Sequence, residues 1–596
     1  MRKKIATISE LSEAIPFGVD IEGVELVILK IGEQVQVFHS RCPHQQANLA
    51  EGRVEKGMLV CQMHQWKFDH QTGQRSGGKE CLHKFNPIVE NDNIYLLETE
   101  LADWENKSET GSLAQKKRTI EDLPKMKGLP VIGNIHQFDF SNMHQEMSQV
   151  ADKLGPLFRL NFAGRPVVVT NDHHMNQQLM KMRPKLFRRG KKLAEIFEEM
   201  GIEGVFSAEG EQWVNQRKVT AQALNMQHLK TFHPTLMTVT ERLKNKLDSM
   251  AVAGEAINIQ QEVIRYTVDV TTNLAFGYDM NTVEETGDVI QQHIEKVFPA
   301  IFRRLNAPFP YWRYVKLPVD KSFDASMKIV TETIKEFIAK AKEKLKTNPE
   351  LKEKPGNFLE AMLLEQEKEG KFSEKEVVGN VFTMLLAGED TTAHSIAWAV
   401  YFLSIHPDIQ EKMYEEAKTV LKEEAYLREQ EDGARLYFAE AVAMETMRMK
   451  PVAPFLYLSA LEDVEIDGLE IPKDTVFLLN NRHAAWQEEN FSNPDQFEPE
   501  RWMPSGCPMH AHHKPEAAAP FGGGARFCPG RGLALVEIKM VLSMLCKNYR
   551  IELITDPETI RENVAFTMSP SDFEVKLHPR KMTDNKVEMT SSEQQK

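Results

Sequence analysis

The residues most able to do chemistry lie in the decapeptide from Phe521 to Gly530, in which Arg526 and Cys528 sit inside a glycine-rich loop ahead of an apolar helical pattern. Glycines let backbone N–H groups approach a sulfur closely, and an arginine two residues before the cysteine can reach an anionic group beside it. Held in this way, a thiolate can ligate haem iron and push electron density toward bound dioxygen. A buried free cysteine in a turn is the plainer alternative. A second candidate centre lies near the N-terminus, where Cys42-Pro-His44 is followed after 16 residues by Cys61-Gln-Met-His64. Two thiolates and two imidazoles in two short loops can hold zinc or an iron–sulfur pair. Third, the segment Ala387 to Thr392 places an acid, Asp390, beside an alcohol, Thr391, within a long apolar pattern from about Val377 to Leu403. Such a pair can relay protons, and a threonine hydroxyl bonded back to a carbonyl, next to Gly388, can open a helix locally.

The spacing of phenylalanine, glycine, arginine, cysteine and glycine around Cys528 resembles the signature of the cytochrome P-450 family. Further segments resemble the same family in its order: Trp213 to Arg217, the Ala387–Thr392 segment, Glu445-Thr-Met-Arg448 before Pro451-Val-Ala-Pro454-Phe455, and Arg501 within Pro499-Glu-Arg501-Trp502. The resemblance implies that Cys528 is the ligand to the iron of haem b, with Phe521 beside it. It implies that Trp213, Arg217 and Arg526 hold haem propionates, and that Asp390 and Thr391 deliver protons as the catalytic pair. Glu445, Arg448 and Arg501 would brace the haem side of the fold. Met384, Ala387, Phe455 and a turn at Met568-Ser-Pro570 are pocket candidates by motif position.

With Leu49, Trp66, Phe68 and Gly73, the two N-terminal Cys/His loops resemble a Rieske [2Fe–2S] domain. In that domain one iron takes two thiolates, here Cys42 and Cys61, and the other takes two imidazoles, His44 and His64. Ala47 and Met63 occupy the positions of the disulfide found in quinol-oxidising relatives, so the resemblance is to the ferredoxin or oxygenase-associated type. Gln46 and Gln65 replace two glycines usual in the family.

The elements expected around these sites divide the 596 residues into four parts. Residues 1–103 alternate apolar and polar in short runs, as in Val24–Leu29 and Ile94–Leu97, and predict a small all-β domain. Residues 104–120 are polar and read as a flexible linker with a reach of ~23 Å. Residues 121–580 predict a mainly α fold with minor sheets, including strands near Leu157–Thr170 and Val464–Val476 and a final hairpin around Val564–Leu577. Residues 581–596 read as a polar tail. The basic run Lys181–Lys192 reads as a solvated face, and Cys507-Pro-Met-His510-Ala-His512-His513 as an exposed loop without metal.

Hydrophobic content of 41% is ordinary for a globular protein, and a formal charge of −14 gives no support for nucleic-acid binding. No run reaches 18 apolar residues and the N-terminus lacks a signal pattern, so no membrane anchor is expected. Beyond the three cysteines assigned to iron, Cys81, Cys507 and Cys546 are an odd remainder, which suits a reducing cytoplasm. Together these features predict a soluble haem-thiolate monooxygenase fused to its own Rieske ferredoxin. It would take electrons from an external NAD(P)H-dependent flavin ferredoxin reductase and use O₂ to hydroxylate or epoxidise an apolar molecule of the fatty-acid, terpenoid or steroid class. The alternatives are a peroxygenase or dehydratase-like haem enzyme, or an oxygenase with a zinc-bound recruitment module.

Overall fold

The computed structural model describes residues 2–21, 24–43, 48–61, 66–76, 81–101, 118–162, 164–285, 289–369, 372–503 and 513–580. Two compact units are present, Met1–Lys117 and Arg118–Lys596.

The smaller unit is organised by one strand, Val24–Ile31, which pairs antiparallel with Phe17–Ile21 on one side and Gln34–His39 on the other. Successive side chains of a strand point to opposite faces, and here both faces are apolar. Leu26 and Ile28 join a core with Ile5, Val37, Phe85 and Leu96. Val27 and Leu29 join a second core with Phe38, Leu49, Leu59, Phe68, Cys42 and Cys61. A three-stranded sheet, Arg53–Glu55, Met58–Val60 and Lys67–Asp69, closes over that second core and puts Cys61 directly after its middle strand. Gly73 takes φ +74°, and a Cβ there would stand 3.0 Å from the Leu82 carbonyl oxygen and 3.0 Å from the Phe38 ring, so the turn needs glycine.

In the larger unit helices dominate. A five-stranded sheet runs in the order Leu157–Phe162, Arg165–Thr170, Val476–Asn480, Phe455–Ala460, Phe187–Arg189. The central helix, Glu374–Ile405, starts with a capping box in which Ser373 accepts from the Glu376 N–H and the Glu376 carboxylate accepts from the Ser373 N–H at 2.8 Å. It packs along Ile259–Phe276 and against Arg531–Asn548, the helix that follows Cys528. Gly388 permits the first contact, because a Cβ would lie 2.7 Å from the Thr271 hydroxyl. Among the described residues no helix is long and apolar enough to cross a membrane.

Several expectations are corrected. Arg118–Thr119 is not linker: it pairs in parallel with Leu469–Glu470, and Ile120 is buried. The final hairpin is Glu562–Ala565 with Thr567–Pro570, so Met568-Ser-Pro570 is strand and not turn. The Met568 N–H donates to the Val452 carbonyl at 2.8 Å and its side chain is fully buried, while Glu574–Pro579 leaves the hairpin to pair with Tyr549–Leu553. The run Lys181–Lys192 is a solvated face only in part: Lys181, Lys185 and Lys191 are exposed, but other cations of the run turn inward. Arg183 is 4% exposed, and Lys192 Nζ donates to the Leu305 and Ala307 carbonyls at 2.7 and 2.6 Å. Isolated charge counts suggest solvent; carbonyl groups at the end of Val297–Asn306 supply partners that only the tertiary fold brings close.

The helix Tyr437–Met449 carries a buried ionic knot. Glu445 accepts from Arg448 Nε and Nη2 at 2.8 and 2.9 Å, from Arg501 Nε at 3.0 Å and from Trp502 Nε1 at 2.8 Å. The Glu445, Arg448 and Arg501 side chains are fully buried, and the arginines also donate to the Ala485, Pro494 and Ser492 carbonyls. Burial works to raise the Glu445 carboxyl, but the Arg448 bonds and the charges of both arginines outweigh it and the net shift is downward. Its contribution is therefore complete above the unfolded carboxyl value of about 4.3 and is lost as pH falls through the lower folded value. Glu445→Ala, which leaves two buried guanidinium groups unmatched, is expected to cost the larger unit about 3–5 kcal/mol, read from its denaturant midpoint at neutral pH. A loss under ~1 kcal/mol would contradict this network.

Candidate active site and metal centres

The loop holding Cys528 is shaped by backbone contacts. The Cys528 N–H donates to the Phe521 carbonyl at 3.0 Å and the Phe527 N–H to the Gly524 carbonyl at 3.1 Å. Gly524 has φ +65°, and a Cβ there would stand 2.3 Å from the Met180 carbonyl oxygen, so no other residue fits without moving the chain. Burial pushes the Cys528 thiol up, while the N–H groups of Gly530 and Arg531 and the charge of Arg217 oppose that shift without cancelling it. These donors and this cation favour the thiolate, the form that binds a metal. Phe521 packs against the main core with the Arg531 guanidinium 5.9 Å from its ring centre.

The residues around the loop fit haem. Helix Gly210–Ala223 brings Trp213 and Arg217 to it: the Arg526 guanidinium lies 4.5 Å from the Trp213 ring centre, and Arg217 Nη2 donates to the Phe527 carbonyl at 2.5 Å. Arg526 Nη2 donates to the Ala208 carbonyl at 2.8 Å and pairs with Glu209. Its Nε and Nη1, both buried, have no partner among the described residues. Buried unsatisfied guanidinium donors are costly, and a carboxylate such as a haem propionate is the group that matches them. Trp213, Arg217, Arg526 and Cys528 thus form one constellation. Glu209 belongs to it as well, although its sequence context gave no sign of that.

Asp390 and Thr391 lie within the central helix, which stays helical through Gly388; the expected local opening is absent. Thr391 Oγ1 does bond back, donating to the Ala387 carbonyl at 2.7 Å, and Ser395 Oγ donates to the Thr391 carbonyl at 2.8 Å. Such back-bonding satisfies the hydroxyl without breaking the ladder. Burial, reinforced by the charge of Glu295, pushes the Asp390 carboxyl up to about 7. Ala387 is exposed, Met384 is partly buried against the main core, and Met568 is fully buried. Sequence reasoning missed an aromatic row at the adjoining core: Phe298 stacks on Phe566 at 5.1 Å, and Phe566 meets Phe206 at 6.2 Å. Phe566 occupies the hairpin tip at φ +86°, a conformation that turn-forming residues normally signal and a phenylalanine does not.

In the smaller unit Cys42 and Cys61 are each 1% exposed and share one apolar core. The Cys61 N–H donates to the Trp66 carbonyl at 2.8 Å, and the Arg75 guanidinium covers the Trp66 ring at 3.4 Å. His44 and His64 lie outside the described residues, as do Ala47, Met63, Gln46 and Gln65. Two buried sulfurs at the ends of two loops suit a metal cluster shielded from water. Cys81 is exposed, and Cys546 is buried, its thiol pushed up to about 12 by that burial. Cys507, His510 and His512 also lie outside the described residues; the His513 ring packs against Phe491 and Trp502.

Comparison with known families matches residues 1–86 to the Rieske [2Fe-2S] domain and residues 123–577 to cytochrome P-450. Cytochrome P-450 27C1 of Danio rerio is 26% identical over 467 residues, spanning 75% of this chain and 84% of the relative. The bifunctional cytochrome P-450/NADPH–P-450 reductase 2 of Bacillus subtilis (strain 168) is 26% identical over 472 residues, 77% of this chain but 43% of the relative. A crystal structure of a cytochrome P-450 superposes with a TM-score of 0.67 at 20% identity over 77% of this chain and 99% of that one, which establishes the fold. The chain thus joins a Rieske [2Fe–2S] domain to a haem-binding oxygenase, and it belongs to the cytochrome P-450 family of monooxygenases.

Proposed function

We propose that the protein inserts one atom of O₂ into a C–H bond or double bond of an apolar small molecule. The other atom leaves as water, with two electrons and two protons consumed. The electrons come from NAD(P)H through a separate flavin reductase. The observation that carries this reading is the presence, in one chain, of a buried two-cysteine core and a thiolate loop with unsatisfied arginine donors beside it. When bound, the cluster supplies single electrons and the haem activates dioxygen. Cys42 and Cys61 would hold one iron of the cluster, and His44 and His64 the other. Cys528 would be the haem ligand, its thiolate form favoured by the Gly530 and Arg531 N–H groups and by Arg217 against the opposing effect of burial. Trp213, Arg217, Arg526 and Phe521 would hold the haem, the arginines through its propionates.

Proton delivery falls to Asp390 and Thr391. A carboxyl titrating at about 7 is protonated in part of the molecules at neutral pH and can both give and regain a proton. The Thr391 hydroxyl, with its hydrogen on the Ala387 carbonyl, keeps its lone pairs free to accept from a donor on the pocket side. The packed aromatic row Phe298, Phe566 and Phe206 is apolar, which supports an apolar substrate class.

Three outcomes follow. Cys528→Ala is expected to abolish the red-shifted Soret band of the reduced carbon monoxide complex while the Rieske-type EPR signal of the cluster persists; retention of that Soret band removes Cys528 as ligand. Thr391→Ala should still bind haem and accept electrons yet release them as peroxide, sharply lowering product per NAD(P)H consumed. Unchanged coupling would count against the relay.

The third outcome concerns Asp390. Between about pH 4 and 7 the folded chain keeps the Asp390 proton while the unfolded chain, with an ordinary value near 3.9, has released it. The folded state then binds more protons, so stability falls as pH rises across that window and is constant above it. Asp390→Asn should accordingly be neutral to stability near pH 4 and stabilising by ~4 kcal/mol at pH 8, measured by denaturant titration at both values. An equal effect at the two pH values would rule out the raised carboxyl.

A further inference from the structure

The larger unit contains more buried positive charge than its protein partners match. Arg183 follows helix His173–Lys181 and is 4% exposed, and its Nε and Nη2 have no hydrogen-bond partner among the described residues. Arg189 ends the strand Phe187–Arg189, donates through Nε to the Phe206 carbonyl at 2.9 Å and lies 3.5 Å from the Phe206 ring centre. Arg526, its side chain 4% exposed, carries two further orphan nitrogens. Burial weakens the hold of Arg183 and Arg189 on their protons, and each is weakened further by the charge of Arg526. Glu209 is the carboxylate that opposes them: one of its oxygens accepts the Arg189 backbone N–H at 3.0 Å and the other pairs with Arg526. Arg217 has the Cys528 sulfur as its counter-charge.

Three guanidinium groups against one carboxylate leave an excess of two positive charges, spread over four unsatisfied N–H-bearing atoms. A ligand with two carboxylates matches both the charge and the donors. Haem b has two propionates. We infer that Arg183, which lies outside the family signatures that pointed to Trp213, Arg217 and Arg526, is an anchoring residue for a haem propionate and acts together with Arg526. The inference rests on the haem-thiolate reading. It also explains why Arg183 and Arg189 turn inward from a run whose Lys181, Lys185 and Lys191 are exposed: the two arginines serve a buried dianion, not solvent.

The test uses the full-length chain, freed of haem and reconstituted with either haem b or its dimethyl ester, in which both carboxylates are neutralised. Affinity is read from the rate of haem transfer to an excess of a haem-scavenging protein. Arg183→Gln is expected to weaken binding of haem b by roughly 10- to 100-fold, as for a lost charged hydrogen bond. Binding of the ester should change by less than about threefold, and Arg183→Lys should recover part of the difference, since it keeps the charge without the planar fork. The haem midpoint potential of Arg183→Gln should fall, because a nearby cation that favours the ferrous state has been removed. Equal losses for the acid and the ester, or no loss for either, would overturn the assignment. Far-UV circular dichroism and the cluster's EPR signal check folding; if Arg183→Gln is unfolded, the acid-to-ester ratio of Arg183→Lys decides, with an unchanged ratio counting against the proposal. A wild-type chain lacking the thiolate-type carbon monoxide spectrum would instead defeat the haem-thiolate reading itself.

Discussion

A charge taken out of water must meet a counter-charge or a hydrogen-bond donor, and the larger unit is arranged around that requirement. Glu445 is tolerated at full burial because two arginines and the Trp502 indole surround it. The knot ties helix Tyr437–Met449 to the segment 492–502, which leads through the chain to the Cys528 loop. A nearby case is His144, whose Nε2 pairs with Glu562 while Lys450 holds the other carboxylate oxygen, so that the hairpin bearing Phe566 is pinned at its base. In the arginine group around Glu209 the described protein atoms leave the requirement unmet, a deficit that the propionates of the proposed haem would fill.

Close approach of backbones is the second constraint. Gly388 brings the central helix against Thr271, Gly379 brings it within reach of the Glu203 backbone, and Gly524 sets the thiolate loop on the end of helix His173–Lys181. At each position a Cβ would fall under 3.0 Å from a heavy atom. In the smaller unit the strand Val24–Ile31 achieves a comparable economy by feeding alternate residues into two cores, one of which shields Cys42 and Cys61.

What could be read from sequence was whatever depends on spacing along the chain. Cysteine and histidine pairs in short loops, the i, i+3 pair of Glu445 and Arg448, and the alternation of Val24–Leu29 all express local geometry, and both families follow from them. Features that depend on distant partners were not legible. Arg183 looks like any member of a basic run until it is seen to be buried, and Phe566 has none of the chemistry expected at φ +86°. Arg118–Ile120 is polar enough to pass for linker, yet it finds a strand more than three hundred residues away. The Thr391 hydroxyl bonds back as its type suggests, but whether that opens a helix depends on the packing around it, and here the helix stays closed.

The account's central claim is that one chain carries both the electron-transfer centre and the oxygen-activating centre of a monooxygenase, so that the last electron transfer is intramolecular. The most direct test is stopped-flow measurement of haem reduction after rapid reduction of the cluster, with protein concentration varied over a hundredfold. A tethered donor gives a first-order rate that does not change across the series. A rate rising in proportion to protein concentration, or haem reduction that proceeds unaltered from the reductase alone when residues 1–103 are removed, would contradict it.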